Sequence, residues 1–143
     1  AMDREGARPT TAAGGVIMVP PLSWVSAGQL ADASSQVPIE DVPLLAFSDL
    51  GRGDFFALRV GGDSMDRVSP EGSVIIVNRA DRRLIGGKHF VFSIRGESTF
   101  KTWQPGNPPY LAPLSTNPLN KPIFFKRTEL QVVGRVCRTL LDL

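Results

Sequence analysis

The stretch HFVFSIRGESTFKTW, His89 to Trp103, holds two runs of β-branched and aromatic residues, HFVFSIR and STFKTW, on either side of the turn Arg95-Gly96-Glu97. Each run is too short for a globular helix and alternates as a strand does, so the stretch reads as a β-hairpin. Similar segments stand on both sides of it: FFALRVGG (Phe55–Gly62), SVIIVN (Ser73–Asn78), YLAPL (Tyr110–Leu114), PIFFKR (Pro122–Arg127) and LQVVGRVCRTL (Leu130–Leu140). Turn chemistry separates them at Pro70-Glu71-Gly72, Gly86-Gly87 and Pro105-Gly106-Asn107. Seven short strands with no long segment of helical period predict a single all-β domain of mostly antiparallel strands. No internal repeat of fixed period is present.

Upstream of Phe55 the pattern is less regular. Residues 1–15 (AMDREGARPTTAAGG) are small, polar and punctuated by Gly and Pro, a composition that cannot bury enough apolar surface to offset the entropy of ordering. They read as a disordered tail or linker, with Ala1 before Met2 as a tag remnant and a further domain expected upstream. Val16–Val25 (VIMVPPLSWV) is β-prone but broken by Pro20 and Pro21. It leads through Ser26, Ala27, Gly28 and Gln29 into a polar stretch ending at Gln36, so residues 16–36 read as an extended arm and exposed loop. The folded domain is then expected to span residues 37–143.

The 143 residues, 42% apolar and 21% charged, suffice for one hydrophobic core. A formal charge of +2 is mild, and its one tight basic group, Arg79, Arg82 and Arg83, reads as a solvated turn rather than a nucleic-acid footprint. One cysteine, Cys137, excludes an internal disulfide and points to a reducing, cytoplasmic compartment. One histidine, His89, excludes a multi-imidazole metal site, and neither a metal nor a cofactor is implied. No run approaches the roughly 20 apolar residues of a membrane helix, so no membrane partner is expected.

The candidate nucleophile is Ser64 in Gly61-Gly62-Asp63-Ser64-Met65, at the end of an apolar alternating run. Serines in Gly-rich turns more often bond nearby backbone, so Ser64 needs a base to be more than a turn residue. His89 at the start of a strand could complete a Ser/His/Asp triad, but Val91 and Ser93 give it no dedicated polar partner on its strand. Lys101 is the better base. Alternation sets Thr99, Lys101 and Trp103 on one face and Phe100 and Thr102 on the other, with Lys101 partly desolvated among aromatic neighbours. Burial lowers an amine's pKa, and a neutral amine can take a hydroxyl proton. The competing reading is an edge-strand lysine with its head in water.

In their order, Gly62-Asp63-Ser64-Met65, Pro70-Glu71-Gly72, the strand SVIIVN, Gly86-Gly87-Lys88-His89-Phe90 and Thr99-Phe100-Lys101 resemble the C-terminal domain of LexA-like self-cleaving repressors. That family includes lambda-type phage repressors and the UmuD mutagenesis proteins, and the resemblance runs from about Val16 to the end. It implies a Ser64/Lys101 dyad that hydrolyses the chain's own peptide bond between Ala27 and Gly28. It also implies an oxyanion hole of the Asp63 and Ser64 amides, with Gly62 and Met65 in support. Thr99 is expected from its spacing to orient the lysine amine. The partners implied are a second copy of this domain, an activated RecA filament, and operator DNA through a missing N-terminal domain. Leu130 to Leu143 is the candidate self-association segment, and its alternation equally suits plain core.

Two departures bear on rate and trigger. Asp66-Arg67-Val68-Ser69 intervene before Pro70 where many family members have an earlier proline, and no basic residue follows Lys101. Two other functions fit the same residues: a dimerisation module with an inert dyad, and a signal-peptidase-like Ser/Lys protease acting in trans.

Overall fold

In the computed structural model, residues 16–31 and 45–141 are described. They form two antiparallel sheets and one short helix. The larger sheet is built from β3 (Phe55–Arg59), β4 (Val74–Asn78), β5 (His89–Ile94), β6 (Glu97–Gln104), β7 (Tyr110–Ala112) and β8 (Leu130–Leu140), in spatial order β3-β4-β8-β5-β6-β7. The smaller pairs β1 (Ile17–Val19) with β2 (Leu45–Phe47). The all-β expectation holds, and the His89–Trp103 hairpin closes in the register Ile94 opposite Glu97. Its two-residue turn has positive φ at both Arg95 (50°) and Gly96 (83°), the backbone twist that suits a tight hairpin.

The sheet is coiled around its central strand. β8 carries an extra residue against β4 near Ile76/Val77 and another against β5 near Val91/Phe92. Such bulges sharpen the local twist and let one sheet wrap a core. At Gly134, between the two, the backbone passes so close to Asn78 that an added Cβ would stand 2.5 Å from the Asn78 carbonyl oxygen. The concave side holds Phe56, Leu58, Val60, Met65, Ile75, Val77, Val91, Phe100 and Val133. On the outer side Phe55, Ala57 and Ile76 lie under the small sheet, while Phe90, Phe92 and Leu111 are covered by Trp103, Ile123 and Phe125.

Two expected elements differ. Pro122–Arg127 is not a strand: only Ile123 pairs, exchanging two backbone bonds with Leu111 (3.0 and 2.9 Å). Pro122 has no N–H to extend the ladder, Phe125 turns onto Trp103, and the chain then bends through a 3-10 turn at Arg127–Glu129. The second difference is in the expected arm. Its first residues form β1, and Pro20–Leu22 runs parallel to β3, with the Pro20 carbonyl and the Leu22 N–H each bonded to Ala57 (2.9 Å). Trp24–Gln29 is then not extended but helical, α1. Ser23 caps it, accepting from the Ser26 N–H at 3.1 Å. Residues 32–36 of the expected arm, and 1–15, lie outside the described residues.

Candidate active site

Ser64 and Lys101 stand 37 residues apart in sequence and meet in the fold, Lys101 Nζ lying 3.1 Å from Ser64 Oγ. β6 carries the lysine. Its neighbour Phe100 packs into the core with Met65, which anchors the chain immediately after the serine. Met65 is 1% exposed, whereas Gly61, Gly62 and Asp63 are at the surface, so Ser64 sits at the step between a buried anchor and an open loop. Gly62 makes that step with φ of 78°, a left-handed conformation costly for residues with a Cβ.

Lys101 is 8% exposed, and burial alone pushes its pKa down to about 8. Among the described residues no acidic group faces it to offset that effect: its hydrogen-bond partners there are the Ser64 hydroxyl, Thr99 Oγ1 at 2.8 Å and the Phe100 carbonyl at 3.1 Å. Three partners suit both protonation states. An ammonium donates to all three, whereas a neutral amine donates to Thr99 and Phe100 and turns its lone pair to the Ser64 O–H. The arrangement can therefore hold a neutral amine against a hydroxyl, the chemistry of a general base beside a nucleophile.

The family question is settled by comparison with known proteins. Residues 20–137 match the family described as Peptidase S24-like. The chain belongs to that family. Over 124 residues it is 36% identical to a LexA repressor of Syntrophobacter fumaroxidans (strain DSM 10017 / MPOB), a match covering 85% of this chain and 57% of that protein. The chain thus spans little more than half the length of that relative.

The remaining candidates of this S24-like domain lie around the pair in different ways. Thr99 touches the Lys101 amine directly. The Asp63 and Ser64 carbonyls are both engaged, the first by the Ser115 hydroxyl at 2.7 Å and the second by the Leu114 N–H at 3.0 Å. Ala27 is fully buried inside α1, its N–H bonded to the Ser23 carbonyl and its own carbonyl accepting from the Leu30 N–H. Gly28 faces the β5–β6 hairpin so closely that a Cβ there would stand 2.7 Å from Ser98 Oγ. Ser98 in turn donates to the Trp24 carbonyl at 2.9 Å.

His89 does not join the pair. Its polar partner comes from the neighbouring strand rather than its own: Nδ1 lies 2.8 Å from Thr102 Oγ1, directly across the hairpin. Half-burial, followed by the nearby Lys88 and Arg135 charges, lowers its pKa. Arg82 is likewise more than part of a solvated turn. It is half-buried, and its guanidinium donates to the Leu30 carbonyl at 2.8 Å and the Ala31 carbonyl at 3.4 Å, closing the end of α1. The asparagines of the 114–120 loop also went unread, because Ser115-Thr116-Asn117 looks in sequence like ordinary turn chemistry. Among the described residues no helix is long and apolar enough to cross a membrane.

Proposed function

We propose that the chain is the regulatory domain of a self-cleaving repressor, in which Ser64 attacks the Ala27 carbonyl with Lys101 as base and cuts the Ala27–Gly28 bond. The observation that carries this reading is the desolvated Lys101 amine, its pKa near 8, 3.1 Å from the Ser64 hydroxyl. Lys101 takes the hydroxyl proton as Ser64 Oγ bonds the carbonyl carbon. The tetrahedral oxyanion is held by the Asp63 and Ser64 N–H groups, Lys101 returns the proton to the amine leaving on Gly28, and a water deprotonated by the neutral lysine then hydrolyses the Ser64–Ala27 ester and restores the hydroxyl. Thr99 holds the amine in line. No metal or cofactor is needed for these steps.

The bond in α1 is not presented for attack. A protease takes its substrate extended, and here the Ala27 carbonyl is buried and hydrogen-bonded within a helix. The helix is the withheld form and its release the regulated step, a shift between two conformations of one chain. In the reading we propose, an activated RecA filament favours the released form. Cleavage then divides the 16–36 arm, releasing a cytoplasmic, dimeric domain of residues 37–143 with the arm from Gly28 on, while residues up to Ala27 stay with an upstream operator-binding domain, and a severed dimer loses the avidity of two linked half-site readers.

The test follows the chain's mass on incubation near pH 7 and near pH 10, with and without activated RecA. A break between Ala27 and Gly28, faster at the higher pH and abolished by both Ser64→Ala and Lys101→Ala, is the expected result. A chain that stays intact under every condition would make this an inert dimerisation module. Cleavage of an added peptide without self-cleavage would instead mark a peptidase acting in trans.

A further inference from the structure

The loop that carries Ser64 belongs to no strand, yet a second loop, residues 114–120, bonds it at several polar points. Leu114 brackets it with two backbone bonds, its N–H to the Ser64 carbonyl and its carbonyl from the Arg67 N–H, both 3.0 Å. Asn117 and Asn120 donate to the two carboxylate oxygens of Asp63 at 3.1 and 3.0 Å. Thr116 gives Asp66 its N–H at 2.8 Å and its hydroxyl at 2.6 Å. Amide donors hold Asp63 below the usual carboxylate range, and the Thr116 hydroxyl and N–H, with a smaller contribution from the Arg67 charge, do the same for Asp66.

At the centre is Ser115, and counting its bonds fixes its proton. The Asn117 N–H and the Asn120 side-chain amide, each 2.9 Å away, both donate to Ser115 Oγ. A hydroxyl accepts two such bonds and has one proton to give, so its O–H is left for the Asp63 carbonyl at 2.7 Å. Asn120 spends its two amide protons on Ser115 and on Asp63 Oδ1, which leaves the chain of donors no alternative direction. The Asp63–Ser64 peptide is planar and trans, so its C=O and N–H point opposite ways. The Asp63 carbonyl also accepts the Asp66 N–H of its own turn at 3.2 Å, and the shorter Ser115 bond, made from the second loop, holds it so that the Ser64 N–H turns to the other side.

We propose that Ser115, held by Asn117 and Asn120, is a positioning residue that fixes the Asp63–Ser64 peptide so that the Ser64 N–H serves as an oxyanion donor. The proposal rests on the self-cleavage reading above and adds the part that sets its transition-state geometry. Much of the network is solvent-exposed, where each bond adds little net stability. Its convergence on one peptide is therefore a matter of aim. An oxyanion donor displaced by a fraction of an ångström loses much of its effect, because the charge it meets exists only in the transition state.

The test compares Ser115→Ala, Ser115→Thr and Asn120→Asp with the parent chain. The alkaline plateau of self-cleavage should fall about 10- to 100-fold in Ser115→Ala. The pH midpoint set by Lys101 should stay in place, and Ser115→Thr, which keeps the hydroxyl, should recover most of the rate. Asn120→Asp, which sets a third carboxylate beside Asp63, should resemble Ser115→Ala. In the amide NMR spectrum the Ser64 signal should move in Ser115→Ala and return in Ser115→Thr. An unchanged plateau in Ser115→Ala, or a loss of rate that comes with a shifted midpoint, would overturn the proposal while leaving the dyad standing. If the parent chain does not cleave itself, the functional reading fails independently. The clamp is then decided by the Ser64 amide alone: movement in Ser115→Ala supports it, an unmoved signal overturns it.

Discussion

Lys101 is buried with no counter-charge among the described residues, and that condition makes two measurable quantities depend on pH. Its pKa in the fold is about 8 against an ordinary 10.5. Below about 8 the folded chain must carry a buried ammonium; between the two values the unfolded chain binds more protons, so stability rises with pH. The full difference is on the order of 3 kcal/mol. Lys101→Met removes the cost, and its denaturation midpoint should exceed the parent's near neutral pH while the two converge towards pH 11. If self-cleavage uses the neutral amine, its rate climbs about tenfold per pH unit below 8 and levels off above. Thr99→Val takes away the acceptor 2.8 Å from Nζ, which favours the neutral form further. The expected outcome is a pH–rate midpoint below the parent's, with a lower plateau from a less well-aimed amine. A midpoint that moves upward would refute that role for Thr99.

At the scale of elements, α1 is the piece that sequence hides. Six residues with a glycine inside cannot hold a helix alone, and this one is kept by distant groups. The Trp24 indole reaches the Arg59 carbonyl at 2.7 Å, Ser98 holds the Trp24 carbonyl, and Arg82 closes the far end. Arg82→Ala leaves the Leu30 and Ala31 carbonyls without that donor, a loss of about 1–2 kcal/mol in holding the helix. Hydrogen exchange at Ala27, Leu30 and Ala31 should then quicken about five- to thirtyfold, and self-cleavage with it if the helix is the withheld form. Unchanged exchange at those three amides would show that Arg82 is not the latch. The strands, by contrast, were legible because alternation is local: β3, β4, β5, β7 and β8 each lie within a run that could be read from its own residues, and β6 exceeds its run by Glu97, read as turn, and Gln104. Ser64 and Lys101 were legible through the order of motifs around them. What escaped were bonds whose two ends are far apart in sequence, Arg82 to Leu30, Ser115 to Asp63 and Thr102 to His89, since neither end alone differs from an ordinary turn or strand residue.

Across the whole molecule, the Ser64 loop is tied to β8, the segment expected to mediate self-association. Ser69, whose N–H bonds the Met65 carbonyl at 2.8 Å, shares its hydroxyl with Ser73 and with Thr139 near the end of β8, each at 2.7 Å. Ser69 and Ser73 are 1% and 0% exposed, so a missing partner there is not replaced by water. Thr139→Val should cost about 1–2 kcal/mol in chemical denaturation, whereas Thr139→Ser should cost much less. The sheet order also bears on how two copies could join. β8 pairs with β4 over Arg135–Leu140 and with β5 over Leu130–Arg135, so each of its edges is taken up by a neighbouring strand over only about half its length. The end of this segment offers a second copy an apolar contact, Leu140 and Leu141 being 36% and 49% exposed. Replacing both leucines by glutamate would bury charge in that contact while leaving the core strands intact. Sedimentation should then show a monomer that keeps its fold, with unimolecular self-cleavage continuing at the parent's rate. A double variant that remains dimeric would place the contact elsewhere. A monomer that no longer cleaves would mean that association, through the Thr139–Ser69–Met65 connection, is needed to set the nucleophile.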